Sequence, residues 1–260
     1  MTAETVAPAA PGVLYLVPMP LGDLGPSLAL PPATAAIAAR LRYFIAENAR
    51  TARRLLAQLP LAIPIQQIAF AELNEHTPAE DIEPLLTPIL AGEDGGVVSE
   101  AGCPAIADPG SALVALAHRR GVRVVPLVGP NALMLALMAS GMNGQSFRFH
   151  GYLPTDAAAR AARITAIETD SARDGTAHLF IETPYRGAAL LAALLAHCRR
   201  PNTRVAVAAD LTLPTESIVV HSLAGWRTAS PPPLDKRPAV FLLQAERAVS
   251  ARESKPRRSS

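Results

Sequence analysis

Short, wholly apolar runs alternate along this chain with stretches whose apolar residues recur at helical spacing. Val13 to Val17 (VLYLV) has no polar position and suits a strand buried on both faces. Thr34 to Leu41 reads as helix and Tyr43 to Ala46 as a second strand. Ala49 to Leu59 follows as helix, with Leu55, Leu56 and Leu59 along one side. Ile63 to Ala69 is expected as a third strand, and Ala79 to Leu90 as a helix behind Pro78. Gly96 to Ser99 then reads as strand, Ser111 to Arg120 as helix and Val122 to Leu127 as strand. This order implies a parallel sheet wrapped by helices.

The pattern changes beyond that point. Asn131 to Ser140 is an apolar helix, Phe147 to Leu153 is strand-like and Ala157 to Thr169 is helical. Strands are expected at His178 to Glu182, Arg204 to Ala209, Ser217 to His221 and Ala239 to Gln244. Gly187 to Cys198 is the one clear helix among them, so adjacent strands form a mixed sheet. Ser230 to Lys236 carries three prolines in a row and is a loop. The expected fold class is α/β, with an N-terminal parallel-sheet domain over 12–127 and a C-terminal mixed-sheet domain over 128–246.

Length agrees, since 260 residues are comfortable for two domains. Aromatic residues make up only 4% against 50% hydrophobic overall, so the cores must be aliphatic. The net charge of +2 lacks the basic excess of a dedicated nucleic-acid binder. The clusters Arg50/Arg53/Arg54, Arg119/Arg120 and Arg199/Arg200 read as solvated helix faces. Cys103 and Cys198 have neither metal-ligand spacing nor a disulfide framework, and no metal is expected. No apolar run approaches the roughly 18 residues of a membrane span, and the Ala/Pro-rich start is not a signal peptide. A cytoplasmic location is therefore expected. Residues 1–11 and 247–260 are expected to be disordered tails, the second a basic, solubilising end or a weak RNA contact.

Candidate chemistry sits in three Gly/Pro-rich loops, each directly after an expected strand. They are Pro18 to Gly25 (PMPLGDLG), Ser99 to Gly110 (SEAGCPAIADPG) and Val128 to Ala132 (VGPNA). In a parallel sheet, loops at the carboxyl ends of the strands form the ligand crevice, and glycine lets a ligand approach the backbone. A nucleotide-like ligand fits this arrangement, with plain structural loops as the alternative. A P-loop and the dinucleotide fingerprint are both absent from the sequence.

These loops bring a resemblance into view. LYLVPMPLGDLG (Leu14 to Gly25), IAENARTARRLL (Ile45 to Leu56), Asn74-Glu75-His76, the Ser99–Gly110 loop, VGPNALMLALMASG (Val128 to Gly141), HGYLP (His150 to Pro154) and FIETPYR (Phe180 to Arg186) occur in order. The chain resembles the tetrapyrrole methylase superfamily from about Gly12 to Glu246. It is most similar to the branch that methylates a cytidine ribose 2′-hydroxyl of small-subunit ribosomal RNA.

The resemblance implies S-adenosylmethionine held between two domains. The cofactor contacts it implies are Leu21, Gly22, Ala101, Gly102, Cys103, Ile106, Asn131 and Ala132, then Ile181, Glu182, Leu211 and Ala239. Glu100 and Asp108 either face the cofactor or cap their loop. Alignment does most of the work of methyl transfer, but a hydroxyl acceptor also needs help losing its proton. Glu47, Glu75, His76 and Asp210 are polar groups at hand; Glu182, Arg186 and Glu216 are the expected catalytic residues, with Arg186 suited to a phosphate. A homodimer is implied as well.

The pattern is broken on the acceptor side. Where the RNA-modifying branch carries Arg-Glu-Leu-Thr-Lys, this chain has Ala209-Asp-Leu-Thr-Leu213, losing two positive charges. Glu47-Asn-Ala-Arg50 likewise lacks a carboxylate and a hydroxyl of the usual segment, and Cys103 and Ala107 replace Thr and Ser. These losses favour the alternatives over a standard RNA-modifying member, and a methyltransferase acting on RNA is the first expectation by resemblance. The alternatives are a methyltransferase for a tetrapyrrole or other small molecule, and a cofactor-binding protein that has lost catalysis.

Overall fold

The structure, a computed structural model, describes residues 10–247. Most of both expected tails lies outside those residues. The chain divides into two compact units after Asn131.

The first unit is built on five parallel strands in the order β3-β2-β4-β1-β5. They are β1 (Val13–Leu16), β2 (Tyr43–Ala46), β3 (Ala69–Glu72), β4 (Gly95–Val98) and β5 (Arg123–Pro126). The connections carry α1 (Pro26–Ala29), α2 (Pro32–Arg40), α3 (Ala49–Leu56), α4 (Ala79–Ile82), α5 (Thr87–Leu90) and α6 (Gly110–Arg119). Strand alternation splits the core in two. Tyr15, Phe44 and Ala46 pack with Leu55 and Leu56 in one cluster, whereas Leu14, Tyr43 and Ile45 pack with Ile89 and Leu113 in the other. Helix α3 starts where it does because the Asn48 side chain accepts hydrogen bonds from the amides of Arg50 (3.0 Å) and Thr51 (3.1 Å).

Two expected elements are corrected here. The third strand is Ala69–Glu72, not Ile63 to Ala69. Ile63 and Ile65 are apolar because they anchor the preceding connection against the core, and Pro64 turns that connection into a single 3₁₀ turn. The helix expected over Ala79 to Leu90 is instead α4, a 3₁₀ turn over Glu83–Leu86 and α5. Pro84 and Pro88 each lack the amide that a continuous helix needs.

The second unit has a mixed sheet in the order β6-β7-β10-β8-β9. Its strands are β6 (Phe147–Phe149), β7 (Ala177–Glu182), β8 (Arg204–Ala209), β9 (Ser217–Ser222) and β10 (Ala239–Gln244). β6 and β7 are parallel; β10 is antiparallel to both β7 and β8, and β9 is antiparallel to β8. Helices α7 (Ala132–Ser140), α8 (Ala157–Asp174), α9 (Gly187–His197) and α10 (Leu223–Trp226) complete it. Ile164 and Ile167 of α8 and Leu190, Leu191 and Leu194 of α9 pack over Phe180, Val205, Val207 and Phe241. Helix α8 runs past the expected Thr169 to Asp174 and stops at Gly175, whose φ of 77° is the left-handed cap conformation. β6 is shorter than the expected Phe147 to Leu153. Among the described residues no helix is long and apolar enough to cross a membrane.

Candidate functional site

Because all five strands of the first unit are parallel, the loops after β1, β4 and β5 leave the same edge of the sheet. The first two are tied by a reciprocal pair of backbone bonds: the Met19 amide donates to the Gly102 carbonyl (2.8 Å), and the Gly102 amide to the Met19 carbonyl (3.0 Å). Gly102 has φ +72°, and an added Cβ would stand 3.3 Å from Leu21 and 3.8 Å from the Pro130 carbonyl. The Cys103 thiol donates to that same carbonyl (3.4 Å). The third loop is fixed from the other side, where the Thr34 hydroxyl donates to the Val128 carbonyl (2.7 Å). Gly129 backs directly onto the Pro18 ring.

Leu21, Gly102, Cys103 and the residue preceding Asn131 are thus gathered at one edge. Gly22 is half-buried, and Ala101 and Ile106 are exposed on the second loop. Asn131 ends the first unit and Ala132 opens α7 in the second.

Asp108 organises its own loop. Its carboxylate accepts from the amides of Ala105 (2.8 and 2.9 Å) and Gly110 (2.8 Å). Ala105 and Ala107 both hold positive φ, 65° and 62°, so this loop stores backbone strain that those bonds secure. Burial raises the Asp108 pKa, against the lowering effect of the two amides. Burial also raises that of Glu47 at the end of β2, with the charges of Glu100, Asp108 and Glu75 adding to it. Glu75 and His76 stand exposed on a turn held by Asn74 and do not join the three loops.

In the second unit, Glu182 ends β7 and Ala239 begins β10; they lie opposite each other, with Ala209 of β8 on the far side of Ala239. Ile181 precedes Glu182, and Leu211 lies two residues past the end of β8, so these implied contacts share one sheet end. The Glu182 side chain is only 2% exposed and pairs with Arg186 (3.1 Å). It also accepts from the Thr183 amide (2.8 Å). Glu182 therefore orients Arg186, whose side chain is 37% exposed. Glu216 accepts from the Thr212 amide (2.8 Å), closing the turn that carries Leu211.

Sequence reasoning missed Arg237. Its guanidinium pairs with Asp210 (2.7 Å), donates to the Pro233 carbonyl (2.9 Å) and reaches the Thr215 carbonyl. Asp210 also accepts from the Thr215 hydroxyl (2.8 Å). A guanidinium thus reaches this turn from the loop before β10, paired with Asp210. Its only trace in the sequence is the pair Lys236-Arg237 just before β10.

A second missed feature is a histidine pair. His150 Nε2 lies 2.8 Å from His178 Nδ1, and the His150 ring also meets Arg163 (3.1 Å) and stacks on Phe180. Burial, then the charges of His178, Arg163 and Arg148, push the His150 pKa down to about 4. Burial likewise lowers that of His178. Unfolded histidine titrates near 6.5, so the unfolded chain binds more protons between that pH and about 4. The stability contributed by the neutral pair is complete above pH 6.5 and is lost as the pH falls through this window. Denaturant titrations should show a loss of about 2 kcal/mol between pH 7 and 4.5, allowing for solvent screening of half-buried His150. His150→Gln should flatten that slope.

Residues 13–225 match the family model for Tetrapyrrole (Corrin/Porphyrin) Methylases. The chain belongs to this family. A tetrapyrrole methylase is a methyltransferase, and the methyl donor of this one is S-adenosylmethionine, as the resemblance implied. Among its relatives is "Ribosomal RNA small subunit methyltransferase I" of Xylella fastidiosa (strain Temecula1), 34% identical over 240 residues, which are 92% of this chain and 83% of that protein. The Vibrio cholerae protein of the same name is 34% identical over 72% of this chain, and the match spans 60% of its length. Among solved structures, the methyltransferase CobJ superposes with TM-score 0.58 at 19% identity, covering 90% of this chain and 94% of CobJ. Uroporphyrin-III C-methyl transferase from Thermus thermophilus, complexed with S-adenyl homocysteine, gives 0.52 at 17% identity over 90% of this chain and 97% of that one. At these identities the structural likeness shows the tetrapyrrole methylase fold alone.

The residues of the first unit suit the donor. The three loops meet around a positive-φ glycine, with Leu21 and Cys103 as apolar walls. Apolar walls of this kind suit a purine-bearing ligand.

Proposed function

We propose that this methyltransferase modifies small-subunit ribosomal RNA, at a ribose hydroxyl. The observation that carries this reading is the 34% identity to the Xylella fastidiosa protein of that name across 92% of the chain. Arg237 does not replace the two cations missing at Ala209 and Leu213, since it is tied to Asp210 and to the Pro233 and Thr215 carbonyls; Arg186 supplies a partly exposed cation at this sheet end.

Bound S-adenosylmethionine supplies an activated methyl group. The protein's task is to bind, orient and shield. Leu21, Gly22, Ala101, Gly102, Cys103, Ile106, Asn131 and Ala132 are proposed donor contacts from the first three loops and the start of α7. Ile181, Glu182, Leu211 and Ala239 are proposed contacts from the second unit. Arg186, steadied by Glu182, takes an RNA phosphate. Glu216 is the carboxylate proposed to help the hydroxyl lose its proton. The working form is proposed to be a cytoplasmic homodimer.

Small ribosomal subunits from a bacterial strain lacking its own enzyme of this type provide the test. Purified protein and radiolabelled donor should place the label in the RNA, as a 2′-O-methyl nucleoside by mass spectrometry. Donor binding without label in the RNA would overturn this reading in favour of a small-molecule acceptor or lost catalysis.

A further inference from the structure

Of the four tyrosines, two are core residues, Tyr15 and Tyr43, at 8% and 6% exposure. The other two, Tyr152 and Tyr185, are 59% and 77% exposed, in a chain with few aromatics to spare. Both lie in the second unit, and both follow the carboxyl ends of neighbouring strands. β6 and β7 run parallel, and their pairing continues past β6 through the Ile181 amide, which donates to the Gly151 carbonyl (3.0 Å). Tyr152 is the next residue after Gly151, and Tyr185 lies in the loop that ends β7. The two loops therefore leave the sheet side by side.

Both loops are rigidly supported. Arg160 of α8 donates to the carbonyls of Pro154 (3.4 Å) and Thr155 (3.0 Å), and Leu153 is buried in the core. Asp156 caps the same helix through the Ala159 amide (2.8 Å). In the other loop, the Arg186 amide donates to the Thr183 carbonyl (3.0 Å), and Glu182 grips the Arg186 side chain. Over 148–163 and 182–186 the chain carries Arg148, Arg160, Arg163 and Arg186 against the two carboxylates Asp156 and Glu182. Two tyrosines this exposed, on adjoining loops of a basic stretch, offer flat apolar faces to a partner.

We propose that Tyr152 and Tyr185 are a stacking platform for unpaired bases of a single-stranded RNA segment, whose phosphates are met by Arg163 and Arg186. Exposed rings and arginines carried on the same segments suit that partner, because unstacked bases offer flat faces and the backbone offers regular negative charge. A duplex hides those faces, so it would find only the charge. This inference rests on RNA being the acceptor and adds where, and in what state, the RNA is held.

Fluorescence anisotropy with a labelled single strand of roughly 12 nucleotides, and with the same sequence as a duplex, tests it. The unaltered protein should prefer the single strand. Tyr152→Leu and Tyr185→Leu, which keep apolar bulk without a ring, should each weaken single-strand binding at least about fivefold. Tyr152→Phe and Tyr185→Phe should stay within about twofold, because the ring is retained. Adenosylhomocysteine affinity by calorimetry should be unchanged in all four. Leucine variants that bind and methylate small subunits like the parent would sink the platform while leaving RNA as the acceptor. An unaltered protein that neither binds the strand nor labels small subunits would sink the RNA reading, and the platform with it.

Discussion

Gly129→Ala is expected to lower the affinity for S-adenosylmethionine at least about tenfold and to cost about 2–3 kcal/mol of stability. The added Cβ would fall 2.2 Å from Pro18 Cγ and 2.5 Å from Pro18 Cβ. A flexible neighbour could swing aside, but a proline ring cannot, so the backbone must move. Movement is constrained on both sides. Met19, next to Pro18, is bonded twice to Gly102, and Val128, next to Gly129, accepts the Thr34 hydroxyl. The clash therefore pushes apart the loops proposed to hold the donor. Calorimetry and urea denaturation measure the two effects. Gly144→Ala is the matched control, since an added Cβ there meets nothing within 4 Å. Equal donor affinity in the two variants would mean that these loops do not form the donor site.

The second large effect is expected from Arg237→Ala. Asp210 and Arg237 have side chains only 10% and 18% exposed. Removing the guanidinium strands a nearly buried carboxylate, which typically costs 3–5 kcal/mol in full burial and about 2–3 kcal/mol at this partly open position. The turn it braces is strained, with Asp210 at φ 52° and Thr212 at 73°. Relaxation of that turn should displace Leu211 and weaken donor binding as well. A double-mutant cycle with Asp210→Asn isolates the pair: the double variant should be clearly less destabilised than the sum of the singles. Additive losses would show that Arg237 acts through the Pro233 and Thr215 carbonyls alone.

Much of this architecture was legible in the sequence. Tyr43–Ala46, Arg204–Ala209 and Ala239–Gln244 have the expected boundaries, because each is a compact apolar run. The third strand was not, because Ile63 and Ile65 are apolar for a local packing reason unrelated to pairing. The glycine loops announced themselves through residues that only special backbone conformations need. The Arg237–Asp210 pair did not, since it depends on a register, Ala239 opposite Ala209, that joins residues far apart in the chain. The His150–His178 contact was hidden for the same reason.

The order of strands in the second sheet also dictates when that sheet can exist. Its middle strand, β10, is the last of the five to leave the ribosome during synthesis, and among the described residues it alone links β6-β7 to β8-β9 by strand pairing. A nascent chain that has emerged only as far as Arg237 holds two separate strand pairs, each with an open edge awaiting the same partner. A premature stop codon before Ala239 would thus remove the keystone of the sheet rather than trim its rim.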